Sequence, residues 1–297
     1  MLDTAKKSNK SAQTAYKGEN MLKMTWRRIR KDKTALLGGI VILLFILIAV
    51  FAPLLSPFDP YAIDKNAILK APSSVHPFGT DQLGRDVLSR MIYGSRYSLI
   101  LGFAGSVISM AVGIIIGCIA GYYGKWVENL ILRICDVWSS IPGNILTIII
   151  SASLGSGFVQ TMIALTIGSI PGKIRMLRAQ ILRERSEEYL EAAQSYNCTS
   201  AKIMFIHLLP NVISPLLVSF TMGIGATIMS AAGLSYLGLG IQPPTPEWGA
   251  MLTNARQYVS QAPFMMIFPG LMIAIVVLSI NLFGDGFRDA MDPKLKK

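Results

Sequence analysis

Five stretches of this chain contain no Asp, Glu, Lys or Arg over a length that few soluble folds need. They comprise residues 34–58, 97–124, 137–172, 203–246 and 257–284, with 25, 28, 36, 44 and 28 residues respectively. A helix needs about 20 apolar residues to cross the hydrocarbon core of a bilayer. Every stretch reaches that length, and the two longest exceed what a single crossing uses. The chain is therefore predicted to be an all-α integral membrane protein.

Composition and charge agree with this prediction. Hydrophobic residues make up 52% of the chain and charged residues 15%, whereas soluble domains carry about 25% charged residues. The net charge of +11 raises the question of a nucleic-acid partner. Ten of the 28 Lys and Arg residues, however, precede residue 34, many of them beside the first apolar stretch. That arrangement is typical of a membrane orientation signal, so no nucleic-acid partner is predicted.

The two longest stretches must be divided to give transmembrane helices. A helix of 36 residues would extend about 54 Å at 1.5 Å per residue, which is too long for one crossing. Gly155 and Gly157 mark a turn within it. The front of the 44-residue stretch belongs to a cytoplasmic segment. The sequence then predicts six spans, over residues 36–55, 98–122, 126–154, 158–176, 210–232 and 264–283.

The distribution of Lys and Arg predicts the orientation of these spans. With both termini in the cytoplasm, the inside segments hold 21 of these residues and the outside segments hold 6. The chain is then divided into a basic cytoplasmic tail, a first transmembrane helix, an external loop, a core of five transmembrane helices with a cytoplasmic loop, and a cytoplasmic C-terminal tail. These units cover residues 1–35, 36–55, 56–96, 97–287 with the loop at 173–209, and 288–297.

The external loop is predicted to contain a short amphipathic helix. Asp81 is placed to cap its first turn, because a carboxylate accepts hydrogen bonds from free backbone N–H groups. Val87, Leu88, Met91 and Ile92 would then form an apolar stripe against the membrane surface.

The cytoplasmic loop is predicted to form a helix–turn–helix. Residues 175–194 have helical propensity and mixed charges, and Asn197 tolerates the left-handed conformation that ends a helix. A second short helix, residues 200–208, leads to Pro210 at the start of the fifth span. Such a unit is a rigid lever between two spans, although a solvated loop would have the same composition.

Two further patterns concern helix contacts. Gly113, Gly117 and Gly121 recur every fourth residue, which predicts a close contact with another helix, in this chain or in a partner, or reflects only the general frequency of Gly in membrane helices. Arg133 and Asp136 are three residues apart, close enough to pair on one helix surface.

Several sequence blocks resemble a known transporter family. Glu191-Ala192-Ala193, a turn residue and a later Leu209-Pro210 resemble the EAA loop of permeases from binding-protein-dependent ABC importers. Where the family has Gly at the turn, this chain has Asn197. Further blocks resemble the C-type permeases of the oligopeptide, dipeptide and nickel group, and these are residues 76–81, 84–90, 207–211, 235–240, 244–249 and 284–289.

The resemblance implies a non-catalytic permease subunit in the bacterial inner membrane. It implies a heterodimer with a related permease, two ABC ATPase subunits that hold ATP and Mg, and an external solute-binding protein. Short peptides are the implied substrate, with nickel or a metal chelate as the alternative. Asn197 and Pro210 would form the turn and the following helix start. The residues implied to contact an ATPase are Glu191, Ala192, Ala193, Gln194, Ser195, Tyr196, Asn197, Cys198, Thr199 and Ser200.

The sequence argues against other classes of function. No Gly-x-x-x-x-Gly-Lys-Ser/Thr phosphate loop occurs, so ATP hydrolysis is expected on other chains. Cysteine spacing predicts neither a disulfide nor a metal site. No His, Asp or Ser set has catalytic spacing, and mid-membrane charges typical of an ion-coupled secondary transporter are lacking. The substrate pathway is not identified. Hydroxyl groups of the fifth span either line it or join helices, and they belong to Ser214, Ser219, Thr221, Thr227 and Ser230.

Overall fold

The computed structural model describes residues 21–291, so the predicted tails lie partly outside the described residues. Within that range the regular structure is helical, apart from one isolated bridge between Thr80 and Asp86. Helical turns also occur at Ala52–Leu55, Lys65–Ala67 and Arg256–Tyr258. The helices are α1 (Met21–Ile29), α2 (Lys33–Val50), α3 (Val87–Tyr123), α4 (Lys125–Ser139), α5 (Gly143–Leu154), α6 (Phe158–Glu184), α7 (Glu188–Ser195), α8 (Ser200–Tyr236), α9 (Trp248–Ala255) and α10 (Phe264–Met291).

Four of the described helices are long and apolar enough to cross a membrane by themselves, namely α2, α3, α8 and α10. The pair α4 and α5 also passes when taken together, but it is bent by 76°. The span predicted over residues 126–154 is therefore not one continuous helix but two helices that meet at a bend. Pro142 precedes α5, and a proline disfavours helical geometry in the residue before it.

Helix α3 begins earlier than the sequence predicted and has no separate surface helix before it. Asp86, rather than Asp81, caps it, because its carboxylate accepts hydrogen bonds from the Ser89 backbone N–H at 2.7 Å and from the Ser89 hydroxyl at 2.6 Å. From Val87 the helix continues without interruption into the span, and no proline separates the two segments. Val87 and Met91 are buried in the protein core, so the predicted membrane-surface stripe is wrong.

The glycine stripe of α3 lies against α6. A Cβ atom at Gly117 would be 2.9 Å from the Leu177 Cβ and 3.0 Å from the Ile174 carbonyl oxygen. Gly113 and Gly121 are equally crowded, so the two backbones approach closely over about two helical turns. The residues of α6 that meet the stripe also recur every fourth position, and they are Lys173, Leu177 and Ile181. The predicted helix contact is thus within this chain.

Replacing Gly117 with Leu should destabilise the bundle, because the added side chain must displace the α6 backbone. We expect the free energy of unfolding to fall by about 1–3 kcal/mol or more. Gly172 is the matched control, since a Cβ atom there meets no atom within 4 Å. Thermal unfolding of the purified variants should show a lower midpoint for Gly117→Leu and little change for Gly172→Leu. Equal midpoints would contradict the packing described here.

Two ion pairs join α4 to α6. Asp136 Oδ1 lies 3.2 Å from an Arg175 nitrogen, and Glu128 pairs with Arg178. Asp136 thus pairs across helices, and the predicted pairing with Arg133 on its own helix is not found among the described residues. Arg175 and Arg178 follow Lys173 by two and five residues toward the end of α6.

The helices α1, α8 and α10 each have one terminus at the same end of the bundle. The Arg28 guanidinium donates a 3.0 Å hydrogen bond to the Ala290 carbonyl oxygen, which joins α1 to the end of α10. Arg288 of α10 lines a cavity of about 430 Å³ together with Ser214 and Pro215 near the start of α8. The start of α8, and the α7–α8 turn before it, therefore lie at the same end as α1 and the close of α10.

Candidate functional site

The candidate site is the segment from α7 to the start of α8, where the sequence blocks point to a partner protein. The α7 backbone is helical from Glu188 to Ser195. The side chains of Glu191, Ala192 and Gln194 lie outside the described residues. Leu190 and Ala193 are buried, with 2% and 8% of their surfaces exposed. Three residues apart, they give α7 one face that packs against the bundle.

A turn with left-handed geometry ends α7. Asn197 has a φ angle of +56°, and the Cys198 N–H donates a 3.2 Å hydrogen bond to the Ala193 carbonyl oxygen. This is the pattern in which a left-handed residue satisfies a free carbonyl at a helix end, a position that Asn tolerates after Gly. At the tip of the turn, 85% of the Tyr196 surface is exposed, and Ser195 and Thr199 are exposed as well.

Helix α8 starts at Ser200 and does not end at Pro210. The predicted short helix over residues 200–208 is instead the first part of a continuous helix. Its turns widen over Ile203–Leu208, where the Leu209 N–H donates to the Met204 carbonyl oxygen five residues earlier. Proline has no N–H to donate and its ring crowds the carbonyl four residues back. The widened turns lie directly before Pro210, so α8 accommodates this proline without ending.

The buried face of α7 belongs to one hydrophobic cluster with the two neighbouring helices. Leu190 shares this cluster with Leu177 and Ile181 of α6 and with Met204 and Leu208 of α8. Every one of these side chains is at most 6% exposed. A displacement of α7 therefore has to move α6 and α8, because close-packed side chains transmit strain.

A hydrogen bond adds to this packing. The Tyr189 hydroxyl donates to Glu184 Oε2 at 3.2 Å, which joins α7 to the end of α6. Burial raises the pKa of Tyr189 above its ordinary value, so this hydroxyl stays protonated as a donor at neutral pH. Helix α7 is therefore docked on the bundle, and the turn that follows it is exposed. The described residues contain no cluster of His, Cys, Asp or Glu able to hold a metal ion.

At the opposite end of the bundle, most of the other sequence blocks converge around a buried carboxyl group. Glu247 is 1% exposed and accepts hydrogen bonds from the Gly249 and Ala250 N–H groups at 2.9 and 2.8 Å. The hydroxyls of Ser98 and Ser235 also donate to it. Burial raises the pKa of Glu247, and no cation lies within 4.0 Å of it among residues 21–291.

A tryptophan and an arginine near Glu247 are also fully buried and make hydrogen bonds that connect separate segments of the chain. The Trp248 ring N–H donates to the Met91 carbonyl oxygen at 3.0 Å. Arg90 donates to the Pro60 and Pro244 carbonyl oxygens at 2.9 and 3.3 Å, which ties the loop before α3 to the loop before α9.

A salt bridge of the same region explains the position of Asp81. Its carboxylate lies 2.7 Å from Arg85 Nε and 3.6 Å from Arg90 Nε. This end of the bundle is therefore a rigid cap. The sequence blocks indicated this region but not that Glu247 caps α9, because Glu is not among the residues preferred at the N-cap of a helix.

A cavity of about 670 Å³ opens between α3, α5, α6 and α8. Of the five hydroxyl residues singled out in the fifth span, Thr227 and Ser230 line it. Ser219 accepts a hydrogen bond from Lys173 Nζ at 2.9 Å, and Ser214 and Ser219 line the smaller cavity near Arg288. The remaining hydroxyl, on Thr221, donates to the Val218 carbonyl oxygen within its own helix. Lys173 also lines the large cavity.

Comparison with protein families gives two matches. Residues 113–297 match the family described as the binding-protein-dependent transport system inner membrane component. Residues 20–72 match the N-terminal TM domain of oligopeptide transport permease C.

Similar proteins come from several bacteria. A dipeptide transport system permease protein DppC of Alkalihalophilus pseudofirmus is 43% identical over 91% of this chain and 89% of its own length. A glutathione transport system permease protein GsiD of Pectobacterium atrosepticum is 44% identical over 91% and 90%. A di/tripeptide transport system permease protein DppC of Pseudomonas aeruginosa is 42% identical over 93% of both chains.

A solved structure of the MetNI methionine ABC transporter in an inward-facing conformation contains a chain of similar fold. The TM-score is 0.55 at 19% sequence identity, and the match covers 68% of this chain and 96% of that chain. At this identity the match concerns the fold alone.

Proposed function

Because the chain belongs to the family of binding-protein-dependent transport system inner membrane components, we propose that it is a permease subunit of an ABC importer for short peptides. The observation that carries the mechanism is the docked α7 with its exposed turn. A soluble motor that holds the turn at Tyr196 would move α6 and α8 through the cluster around Leu190. The ten residues 191–200 are the proposed contact with that motor.

The proposed topology has six spans, with α4 and α5 forming one bent crossing. Glu128 of α4 pairs with Arg178 near the α7 end of the bundle, whereas Ser151 of α5 donates to the Leu239 carbonyl oxygen at the other end. Because the two ends of the α4–α5 pair lie at opposite ends of the bundle, we favour a membrane crossing for this pair rather than a re-entrant loop. Helix α6 is the remaining one of the six proposed spans. The bias of Lys and Arg then favours a cytoplasmic location for α7 and for both termini.

The proposed partners are those of a binding-protein-dependent importer, and they fit a chain without a phosphate loop and with an exposed turn after α7. A related permease would supply the other half of the pathway, two ATPases would bind ATP and Mg and contact the α7 turn, and an external solute-binding protein would deliver substrate to the cap around Glu247. ATP can shift the permease between outward and inward access only if the ATPases bind it with different affinity in the two states.

Short peptides are the proposed substrates, because the relatives carry dipeptide, tripeptide and glutathione names. A nickel or metal-chelate importer would have the same architecture. The two are separated by measuring which solute stimulates uptake by the reconstituted importer, since selectivity in such a system would also depend on its binding protein.

Changing Glu191 to Lys tests the proposed contact. We expect the variant to lose most of its ATPase partner during purification, and uptake to fall at least about tenfold, because the reversed charge opposes a complementary surface. Asp289→Lys is the matched control, since Asp289 is exposed at the same end of the bundle but lies on α10. The control should keep its ATPase and transport normally.

The thermal unfolding of both variants should match that of the unmodified protein. Retention of the ATPase by Glu191→Lys at normal stoichiometry would contradict the proposed contact. Solute uptake driven by an ion gradient, in vesicles containing this chain alone, would contradict the importer function itself.

A further inference from the structure

The large cavity is lined by one charged side chain, Lys173, and no carboxylate among the described residues pairs with it. Lys173 lies on the wall of the cavity that α6 forms. None of the cavity-lining side chains within residues 21–291 is Asp or Glu, and no carboxylate of those residues lies within 4.0 Å of the ammonium. An unpaired charge within a membrane bundle is costly, so its presence there calls for a functional explanation.

The hydrogen bonds of Lys173 leave part of its ammonium free. Nζ donates to the Ser219 hydroxyl at 2.9 Å and to the Ser219 carbonyl oxygen at 3.1 Å. An ammonium group has three N–H donors, so one donor has no partner among the described residues. Both known partners come from one residue of α8, and they hold the side chain at the wall of the cavity.

Small residues make room for this side chain. A Cβ atom at Gly113 would lie 2.5 Å from the Lys173 Cβ, and one at Gly223 would lie 3.4 Å from its Nζ. Larger side chains at either position would push the ammonium away from its place.

Hydroxyl groups extend the polar surface from Lys173 along the same face of α6. Ser169 lies one turn before it and lines the cavity, and Thr166 lies one turn further. The buried Thr166 hydroxyl oxygen has no hydrogen-bond partner among the described residues. From α3, Ser106 and Ser109 add two more hydroxyls to the cavity. In this structure the Ser169 and Ser109 hydroxyls donate to the Thr166 and Ser106 carbonyl oxygens of their own helices. Rotation of either hydroxyl frees it to donate to a carboxylate beside the ammonium, and a carboxylate accepts several hydrogen bonds at once.

We propose that Lys173 and the hydroxyls beside it form a carboxylate-binding site in the cavity, which receives the C-terminal carboxylate of a transported peptide. The inference rests on the proposed importer function for its substrate, but the anion preference of the cavity stands on the lysine alone. The lysine attracts the carboxylate electrostatically, and the hydroxyls supply neutral hydrogen bonds that let the peptide leave again.

The anion preference is tested by chemical labelling of the assembled importer. Ser169→Cys is introduced after the three native cysteines have been replaced by Ala. The labelling rates are compared for an anionic thiol reagent, sulfonatoethyl methanethiosulfonate, and for its cationic trimethylammonium counterpart. We expect Lys173→Met to lower the ratio of anionic to cationic rate by about tenfold, because it removes the nearest charge. Lys173→Arg should keep the ratio. A ratio unchanged by Lys173→Met would overturn the proposal.

The substrate is tested by dipeptide uptake into proteoliposomes, with the same saturating binding protein in every sample. Lys173→Met should reduce the uptake rate about tenfold while thermal unfolding stays normal, and Lys173→Arg should keep most of the rate. Normal uptake by Lys173→Met would overturn the proposed role in transport. Failure of the unmodified importer to take up dipeptides would contradict the proposed function instead, and the labelling ratio would still decide whether the cavity prefers anions.

Discussion

Replacing Leu190 with Asp should uncouple ATP hydrolysis from transport. Leu190 is 2% exposed within the cluster that joins α7 to α6 and α8. A carboxylate cannot stay in this apolar contact without a large desolvation cost, so α7 should detach from the bundle while its outer face remains available to the motor. We expect uptake to fall at least about tenfold while ATP hydrolysis by the complex persists.

Leu190→Met is the matched control, since it conserves volume and apolar character and such exchanges usually cost less than about 1.5 kcal/mol. It should transport at close to the normal rate. Uptake at the normal rate by Leu190→Asp would contradict the claim that the docked face of α7 transmits movement. Loss of both hydrolysis and uptake by Leu190→Met would contradict the assignment of Leu190 to a tolerant apolar contact.

The largest effect on stability is expected at Glu247. Replacing it with Ala removes the cap of α9 and leaves the Gly249 and Ala250 N–H groups and the Ser98 and Ser235 hydroxyls without their acceptor. We expect a loss of at least about 3 kcal/mol in the free energy of unfolding. Glu247→Gln keeps one acceptor oxygen and the shape, so its loss should be smaller. Thermal unfolding of the purified chain in lipid or detergent measures both.

The pH dependence of that stability has a defined sign. Burial raises the folded-state pKa of Glu247 above its ordinary value of 4.5. The folded protein therefore binds the proton more tightly than the unfolded chain does. Compared with Glu247→Gln, the unmodified protein should gain stability as the pH falls from neutral, reach its full gain below 4.5, and lose it as the pH rises through the raised pKa. A gain in the opposite direction would show that the hydrogen bonds to the carboxylate outweigh its burial.

Much of the fold could be predicted because the bilayer restricts the alternatives. The uncharged stretches predicted the helices α2, α3, α8 and α10, and the glycines at 155 and 157 predicted the separation of α5 from α6. The glycine stripe of α3 predicted a close contact, because small residues at that spacing let two helix backbones approach each other. Its partner, α6, was not predictable, since many helices could present a matching surface.

Other features depended on contacts between distant residues. The bend at Pro142 and the continuous start of α3 follow from local geometry that a hydropathy pattern does not record. The pairing of Asp136 with Arg175 needed the relative position of two helices. The sequence places Lys173 among many cytoplasmic cations, and only the arrangement of α3, α6 and α8 around it reveals a cavity in which no described carboxylate pairs with this lysine.

Disulfide or thioether cross-linking from the α7–α8 turn tests the central claim most directly. Tyr196→Cys, with Cys198 replaced by Ser, places a thiol at the tip of this turn, where 85% of the Tyr196 surface is exposed. Gln261→Cys places one at the opposite end of the bundle, where it is also exposed. In the assembled importer, a short bifunctional maleimide should join position 196 to the ATPase subunit, with a yield that changes when ATP is bound, and position 261 should give no such product. Cross-linking of position 261 to the ATPase, or of position 196 to no second protein, would contradict the account.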